Sequence, residues 1–217
     1  MALGAQMRRL GRHSAIYGLG GIVSRVLAVF LLPLYTRYLD TNDFGAVGLV
    51  VALSAVLVTI LRLGISSAFF RFYFDTKDPA QRRLVVRTSF WFTMASATVG
   101  LAAGVLLAEP IADVLGLENA NLVRAGFVGI WAQMNYEQLT SLFRAEERST
   151  AFVLASLANV AITIAATVVL VVGLEQGAIG VIAGSFTGTL VVYLALIGVH
   201  REQLGLQFSR PLLREMN

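Results

Sequence analysis

Apolar residues fill six stretches of the chain, near 14–36, 44–68, 86–108, 122–143, 150–173 and 178–199, separated by short polar gaps. Each runs to about 20 residues or more, the length at which a helix rising about 1.5 Å per residue crosses a hydrocarbon layer about 30 Å thick. The pattern predicts an all-α fold, a polytopic bundle of six transmembrane helices. After the third stretch, Ile111, Ala112, Val114, Leu115 and Leu117 interleave with Asp113 and Glu118. That gap is too short to span and suits a short helix lying at the outer interface. Asp40-Thr41-Asn42-Asp43 offers side-chain acceptors for the free N–H groups that open the second helix, with charge matched to its positive end. Pro33 predicts a bend near the outer end of the first span. Small residues recur every fourth position at Ser96, Gly100 and Gly104, and again at Gly180, Gly184 and Gly188, a spacing that lets helices approach closely. There is no tandem repeat, no low-complexity tract and no soluble domain.

The charges orient this bundle. Of 17 Lys and Arg residues, 13 fall in four clusters on every second gap: Arg8, Arg9 and Arg12; Arg71, Lys77, Arg82, Arg83 and Arg87; Arg144 and Arg148; Arg201, Arg210 and Arg214. Positively charged gaps face the cytoplasm, so both termini are expected there. The first span follows a basic segment, as a signal peptide would. Its apolar region is about twice as long as a typical signal core and lacks a small-x-small cleavage site, so it is expected to be retained. With 57% hydrophobic and 14% charged residues, the composition is that of a membrane protein. The net charge of +4 is therefore read as contact with anionic lipid heads, not nucleic acid. The chain has no cysteine, and its two histidines, His13 and His200, flank the first and last spans. Disulfides, thiolate metal sites and zinc chemistry are excluded, and no cofactor is expected.

Two arginines sit inside apolar stretches. Arg25 lies about 16 Å along the first helix from Ser14, near mid-membrane. It costs about 2.5–3.5 kcal/mol on insertion, which the eleven Leu, Ile, Val and Phe residues between Ile16 and Leu34 offset. Ser14, Gly18, Gly21 and Arg25 share one face, as the wall of a polar cavity would. Arg62 either lines the same cavity or extends its head to the inner interface. In span 4, Gln133, Glu137, Thr140 and Arg144 form one polar stripe towards the cytoplasmic half, while Asn135 and Gln138 lie off it and imply polar neighbours on a second side. Glu137 is the only acid within a span. Either it neutralises Arg25 in a structural pair, or Arg25 faces water and takes an anionic substrate group while Glu137 tunes that charge or carries a proton. The candidate substrate-binding residues are thus Arg25, Arg62, Glu137, Gln133 and Thr140. Catalytic patterns are missing: Lys77 has no Gly-rich phosphate loop, and neither His-Glu-x-x-His nor Gly-x-Ser-x-Gly occurs. Asp75 and Asp78, which stand alone before Pro79, read as a solvated turn. The chain is not expected to be an enzyme.

The string Leu32-Pro33-Leu34-Tyr35-Thr36-Arg37-Tyr38-Leu39-Asp40, continuing to Phe44-Gly45, resembles the opening of bacterial polysaccharide flippases of the Wzx type, members of the MOP exporter superfamily. Further pieces follow in order: Ser14 with Tyr17-Gly18, Ser24-Arg25, Gly64 through Ser66-Ser67 to Arg71-Phe72-Tyr73, Arg144-Ala145-Glu146-Glu147-Arg148, and Gly177-Ala178-Ile179-Gly180. The resemblance covers essentially all 217 residues. It implies a bacterial inner-membrane protein that flips undecaprenyl-diphosphate-linked oligosaccharide to the periplasmic leaflet for O-antigen, capsule or exopolysaccharide assembly. Proton or sodium coupling and contact with the glycan polymerisation machinery come with it. Family members have twelve to fourteen spans in two lobes, so the six spans are expected to be an N-terminal lobe that needs a C-terminal lobe or a second copy. Lipid II flippases of the superfamily carry an Arg-Asp pair in their first span, where Leu31 and Leu32 stand in an ungapped match. The alternatives are a cation-coupled multidrug exporter of the same superfamily and a non-transport scaffold of the glycan assembly machinery.

Overall fold

The computed structural model describes residues 31–201, 203–205 and 207–216, all built from helices and connecting turns. Residues 31–38 are helical (α1) and lead into α2 (Thr41–Arg62), α3 (Ile65–Asp75), α4 (Pro79–Leu106), α5 (Ala108–Leu115) and α6 (Ala120–Ala145). They are followed by α7 (Ser149–Val168), a π-helical turn at Val169–Gly173, α8 (Gly177–His200) and α9 (Arg210–Met216). Among the described residues α2, α4, α7 with its π turn, and α8 are long and apolar enough to cross a membrane. The expected first span is described only from residue 31, and Arg25, Ser14, Gly18 and Gly21 lie outside the described residues.

The bundle is built around α6. It packs most extensively against α8 and α4 and also against α2, while α7 packs mainly against α8 and touches α6 less. Sixteen of its 26 residues are buried, so this helix has no lipid face to keep apolar, which is why it can be the most polar of the long helices. The outer helices show the reverse: Val51, Val56 and Ile60 on α2 and Leu154 and Leu157 on α7 are exposed, as lipid-facing side chains are.

The capping expected before span 2 is present. Asp40 accepts the Asp43 N–H at 2.7 Å and Asp43 sits in the first turn of α2. Asp40→Ala should lower stability by about 0.5–2 kcal/mol, measured as a shift of thermal unfolding in detergent; an unchanged melt would show that this helix end is held by other contacts. Asp78 closes the other gap by accepting the Ala80 N–H at 2.9 Å ahead of Pro79, so of the two acids near Pro79 Asp78 is the cap of α4 and Asp75 ends α3.

The second span departs from expectation. The helix expected to run unbroken over 44–68 stops at Arg62, where Leu63 and Gly64 both take positive φ, 46° and 76°. The helix restarts when the Ser67 and Ala68 N–H groups bond the Gly64 carbonyl. Glycine accepts this conformation without a Cβ penalty, and apolar periodicity carries no sign of a break that falls between two apolar runs. Downstream, α3 turns Ile65, Phe69 and Tyr73 into a separate apolar cluster with Val85, Val86, Leu142 and Met216.

The short interfacial helix appears as α5, with Ala108 and Ala112 buried, Val114 exposed and Gly116 ending it at φ 66°. The small-residue strips pack helices. An added Cβ at Gly100 would meet the Leu61 side chain, one at Gly104 the Phe127 ring, one at Gly180 the backbone of the π turn at Leu170, and those at Gly184 and Gly188 the backbone of α7.

Candidate functional site

A polar band crosses the core of α6. Below it in sequence, Val123, Phe127, Ile130 and Met134 belong to one apolar cluster shared with α2 and α8; above it, Leu139 and Phe143 belong to another with Phe90, Tyr193 and Leu196. Gln133, Asn135, Glu137 and Gln138 lie at the junction between them. Arg62, in the last turn of α2, donates from Nη2 to Glu137 Oε2, and Gln133 Nε2 donates to Glu137 Oε1 at 3.0 Å. Both carboxylate oxygens are therefore engaged. The two charged side chains keep 30% and 36% of their surface accessible, so the pair borders open space and is not sealed in the core. Glu137 lies about 12 Å from the end of α6 by helical rise, on the side of the basic clusters.

Three local features place Arg62. As the last helical residue before the left-handed Leu63 it sits at the negative end of α2, which favours a cation. Ser96 of α4 donates to the Leu61 carbonyl at 2.7 Å, tying that frayed end to the neighbouring helix. The break then turns α3 away, leaving the guanidinium directed at α6. Of the two readings of Arg62, extension to the interface is thus replaced by an ion pair within the bundle.

The remaining candidates divide. The two expectations for Arg25 and Glu137, a structural pair or an arginine that faces water and takes substrate, both turn on Arg25; among the described residues Glu137 has Arg62 as its partner, because α2 and α6 are in contact there and helix spacing within one span cannot reveal which neighbour faces it. Arg25 lies outside the described residues. Thr140 does not join the group: it is buried and its hydroxyl turns back on the Tyr136 and Glu137 carbonyls at 3.0 and 3.2 Å. Arg144, at the end of the expected stripe, turns to the Ser141 hydroxyl at 2.7 Å and lies over the Phe70 and Phe152 rings. The polar stripe is therefore cut after Glu137.

Polar neighbours on a second side of α6 are present. Thr93 of α4 donates to Gln138 Oε1 at 3.4 Å, and the Trp131 indole donates to Thr98 at 3.1 Å. Asn135 donates to the Trp131 carbonyl at 2.8 Å, while its buried Oδ1 has no partner among the described residues. Thr93 and Thr98 carry no sequence signal beyond being hydroxyls in an apolar run, and Ser96 is marked only by its small-residue spacing with Gly100 and Gly104. No group of three or more potential metal ligands occurs among the described residues.

The same all-helical arrangement is found in solved structures of membrane transporters. The chain superposes on a MATE transporter in complex with MaD3S (TM-score 0.80, 16% identity, 96% of this chain and 50% of that one). It matches an outward-facing multidrug resistance MATE family transporter of the MOP superfamily equally well (TM-score 0.80, 17% identity, 96% and 50%). A third match is a MOP superfamily transporter from Pyrococcus furiosus Vc1, whose binding pocket is described as having reverse polarity that suggests a different function (TM-score 0.69, 15% identity, 94% and 47%). The chain spans about half the length of these transporters. It belongs to the family described as "Polysaccharide biosynthesis protein", whose sequence profile matches residues 10–215. A sequence search of curated proteins found no match. The fold that the chain shares with these structures is one that membrane transporters adopt.

Proposed function

We propose that this chain is the N-terminal lobe of a two-lobed flippase that carries undecaprenyl-diphosphate-linked oligosaccharide across the bacterial inner membrane. The observation that carries this reading is the Arg62–Glu137–Gln133 group, an ion pair about one-third exposed within a helical bundle of the polysaccharide biosynthesis family. A guanidinium presents a planar fork of donors, and a diphosphate offers more negative oxygens to it than one carboxylate does. Arriving substrate draws Arg62 away from Glu137, and Arg25 of the first span adds a second cation. Glu137, still held by Gln133, then takes a proton or sodium ion in place of the guanidinium, which links the cycle to a cation gradient. The glycan lies in the wet centre, the polyprenyl tail remains in lipid, and rocking against a C-terminal lobe or a second copy exposes the head group to the other side.

The MATE matches favour a second reading, a cation-coupled multidrug exporter in which Glu137 receives cationic drugs. Reconstitution of the full-length protein with a labelled lipid-linked oligosaccharide separates the two. Flipping that cationic dyes do not inhibit supports the flippase; dye transport without flipping replaces it with the exporter. A protein that moves neither, yet recruits the glycan polymerisation machinery, is a scaffold. In the same assay Arg25→Ala should reduce flipping at least about tenfold, the loss of one charge-assisted contact, with membrane abundance unchanged. A full rate would remove Arg25 from the substrate path.

A further inference from the structure

A second polar cavity, of about 340 Å³, opens at the end of the bundle where the basic clusters lie. Its walls are the end of α3, the first turns of α4, the turn after α6 and the segment following α8, which bring Tyr73, Arg82, Arg83, Glu146 and Gln203 to one space. Arg82 is fixed at its root: Nε donates to the Thr76 carbonyl at 2.9 Å and the guanidinium lies 5.1 Å over the Tyr73 ring. The terminal nitrogens of Arg82 have no hydrogen-bond partner among the described residues, and Arg83 has neither a hydrogen bond nor an ion pair among them. The one acid in the wall is already engaged, since Glu146 Oε1 accepts from Gln203 at 3.2 Å and Oε2 from Arg148 at 3.4 Å. Burial pushes the Tyr73 hydroxyl pKa up, the Glu146 carboxylate adds to the rise and Arg82 opposes it, so the phenol stays protonated and is a donor.

The cavity thus offers two guanidinium groups and a phenol, with its carboxylate largely neutralised by neighbours. Arginine forks match tetrahedral phosphate oxygens, and the volume is that of a small-molecule site. We propose that this cavity binds a phosphate ester, with Arg83 and the free edge of Arg82 holding the phosphate oxygens and Tyr73 donating to a third. The ester reaches it as the headgroup of an anionic phospholipid or as a soluble phosphate monoester. The site is separate from the Arg62–Glu137 pair: Glu146 stands nine residues beyond Glu137, about 13 Å along α6. It therefore does not depend on the transport reading. By bridging α3 and α4 it would fasten the segment that continues from Arg62 past the helix break.

Two titrations of the full-length detergent-solubilised protein test this, one with phosphatidylglycerol read by native mass spectrometry as retained lipid, the other with glycerol 3-phosphate read by calorimetry. Arg83→Gln, an exposed position that carries no fold contact, should weaken the responding arm about tenfold. Arg210→Gln, equally basic but outside the cavity, should change it by less than about twofold. Saturable lipid retention lost in Arg83→Gln assigns the site to a phospholipid headgroup, and the same result with glycerol 3-phosphate assigns it to a soluble ester. Equal behaviour of Arg83→Gln and Arg210→Gln in both arms overturns the proposal.

Discussion

Arg62→Ala in the full-length protein will abolish glycan export and lower thermal stability, whereas Arg62→Gln combined with Glu137→Gln will recover stability without export. The single change leaves a carboxylate facing the bundle with only Gln133 as side-chain donor among the described residues. Removing one partner of a fully buried pair costs about 3–5 kcal/mol. Because each side chain here keeps about a third of its surface accessible, water screens the orphaned charge, and about 1–2 kcal/mol is the expected loss. The double glutamine removes both charges and keeps hydrogen-bonding capacity, so the fold has nothing unpaired left to shelter. Export does not return, because the guanidinium that leaves Glu137 for the diphosphate is gone and Arg25 is left as a single cation. Thermal unfolding in detergent and complementation of an export-deficient strain measure the two effects separately. The charge reversal Arg62→Glu with Glu137→Arg sharpens the test: it restores the pair and returns a cation to the waist, but from α6 instead of α2. Stability with poor export means that the position of the cation matters. Wild-type export by the double glutamine would show that the pair is structural only.

Most of the bundle could be read from the sequence, because lipid imposes a simple demand: about 20 apolar residues per crossing, with polar groups confined to ends and interior. Five of the six expected spans have helices over them, and Asp40 and the interfacial α5 follow from cap chemistry and amphipathic spacing. The break at Leu63-Gly64 was not legible, since a left-handed pair between two apolar runs leaves hydropathy unchanged. Partner choice at Glu137 was hidden for a different reason. Helical spacing places Gln133 and Glu137 on one face of α6, but the identity of the helix opposite that face is a tertiary fact, and α2 occupies it. The stripe failed at Thr140 because a threonine hydroxyl can bond its own helix carbonyls, and so be polar in sequence while offering nothing to a cavity.

Gly184→Leu will have the largest effect on stability. The α7 and α8 backbones run against each other along three successive turns of α8. A Cβ at Gly180 would come within 3.1 Å of the Leu170 carbonyl, one at Gly184 within 2.6 Å of Thr167 Cα, and one at Gly188 would strike the Asn159 carbonyl. These obstacles are mainly backbone, so no rotamer change relieves them and the helices must separate. Gly184→Ala should cost about 1–3 kcal/mol, and leucine more. Thr167→Ala should not rescue Gly184→Ala, because Thr167 Cα and N remain in the way. Gly48 and Gly198 give the contrast: nothing among the described residues lies within 4 Å of an added Cβ at either, so alanine there should be neutral or stabilise by up to about 1 kcal/mol through helix propensity. Thermal unfolding of all four alanine variants and Gly184→Leu checks the ranking. Export per folded molecule is the second readout. If the strip only packs, export falls in step with abundance; a Gly184→Ala protein that is fully abundant yet inactive would show that this strip faces the substrate.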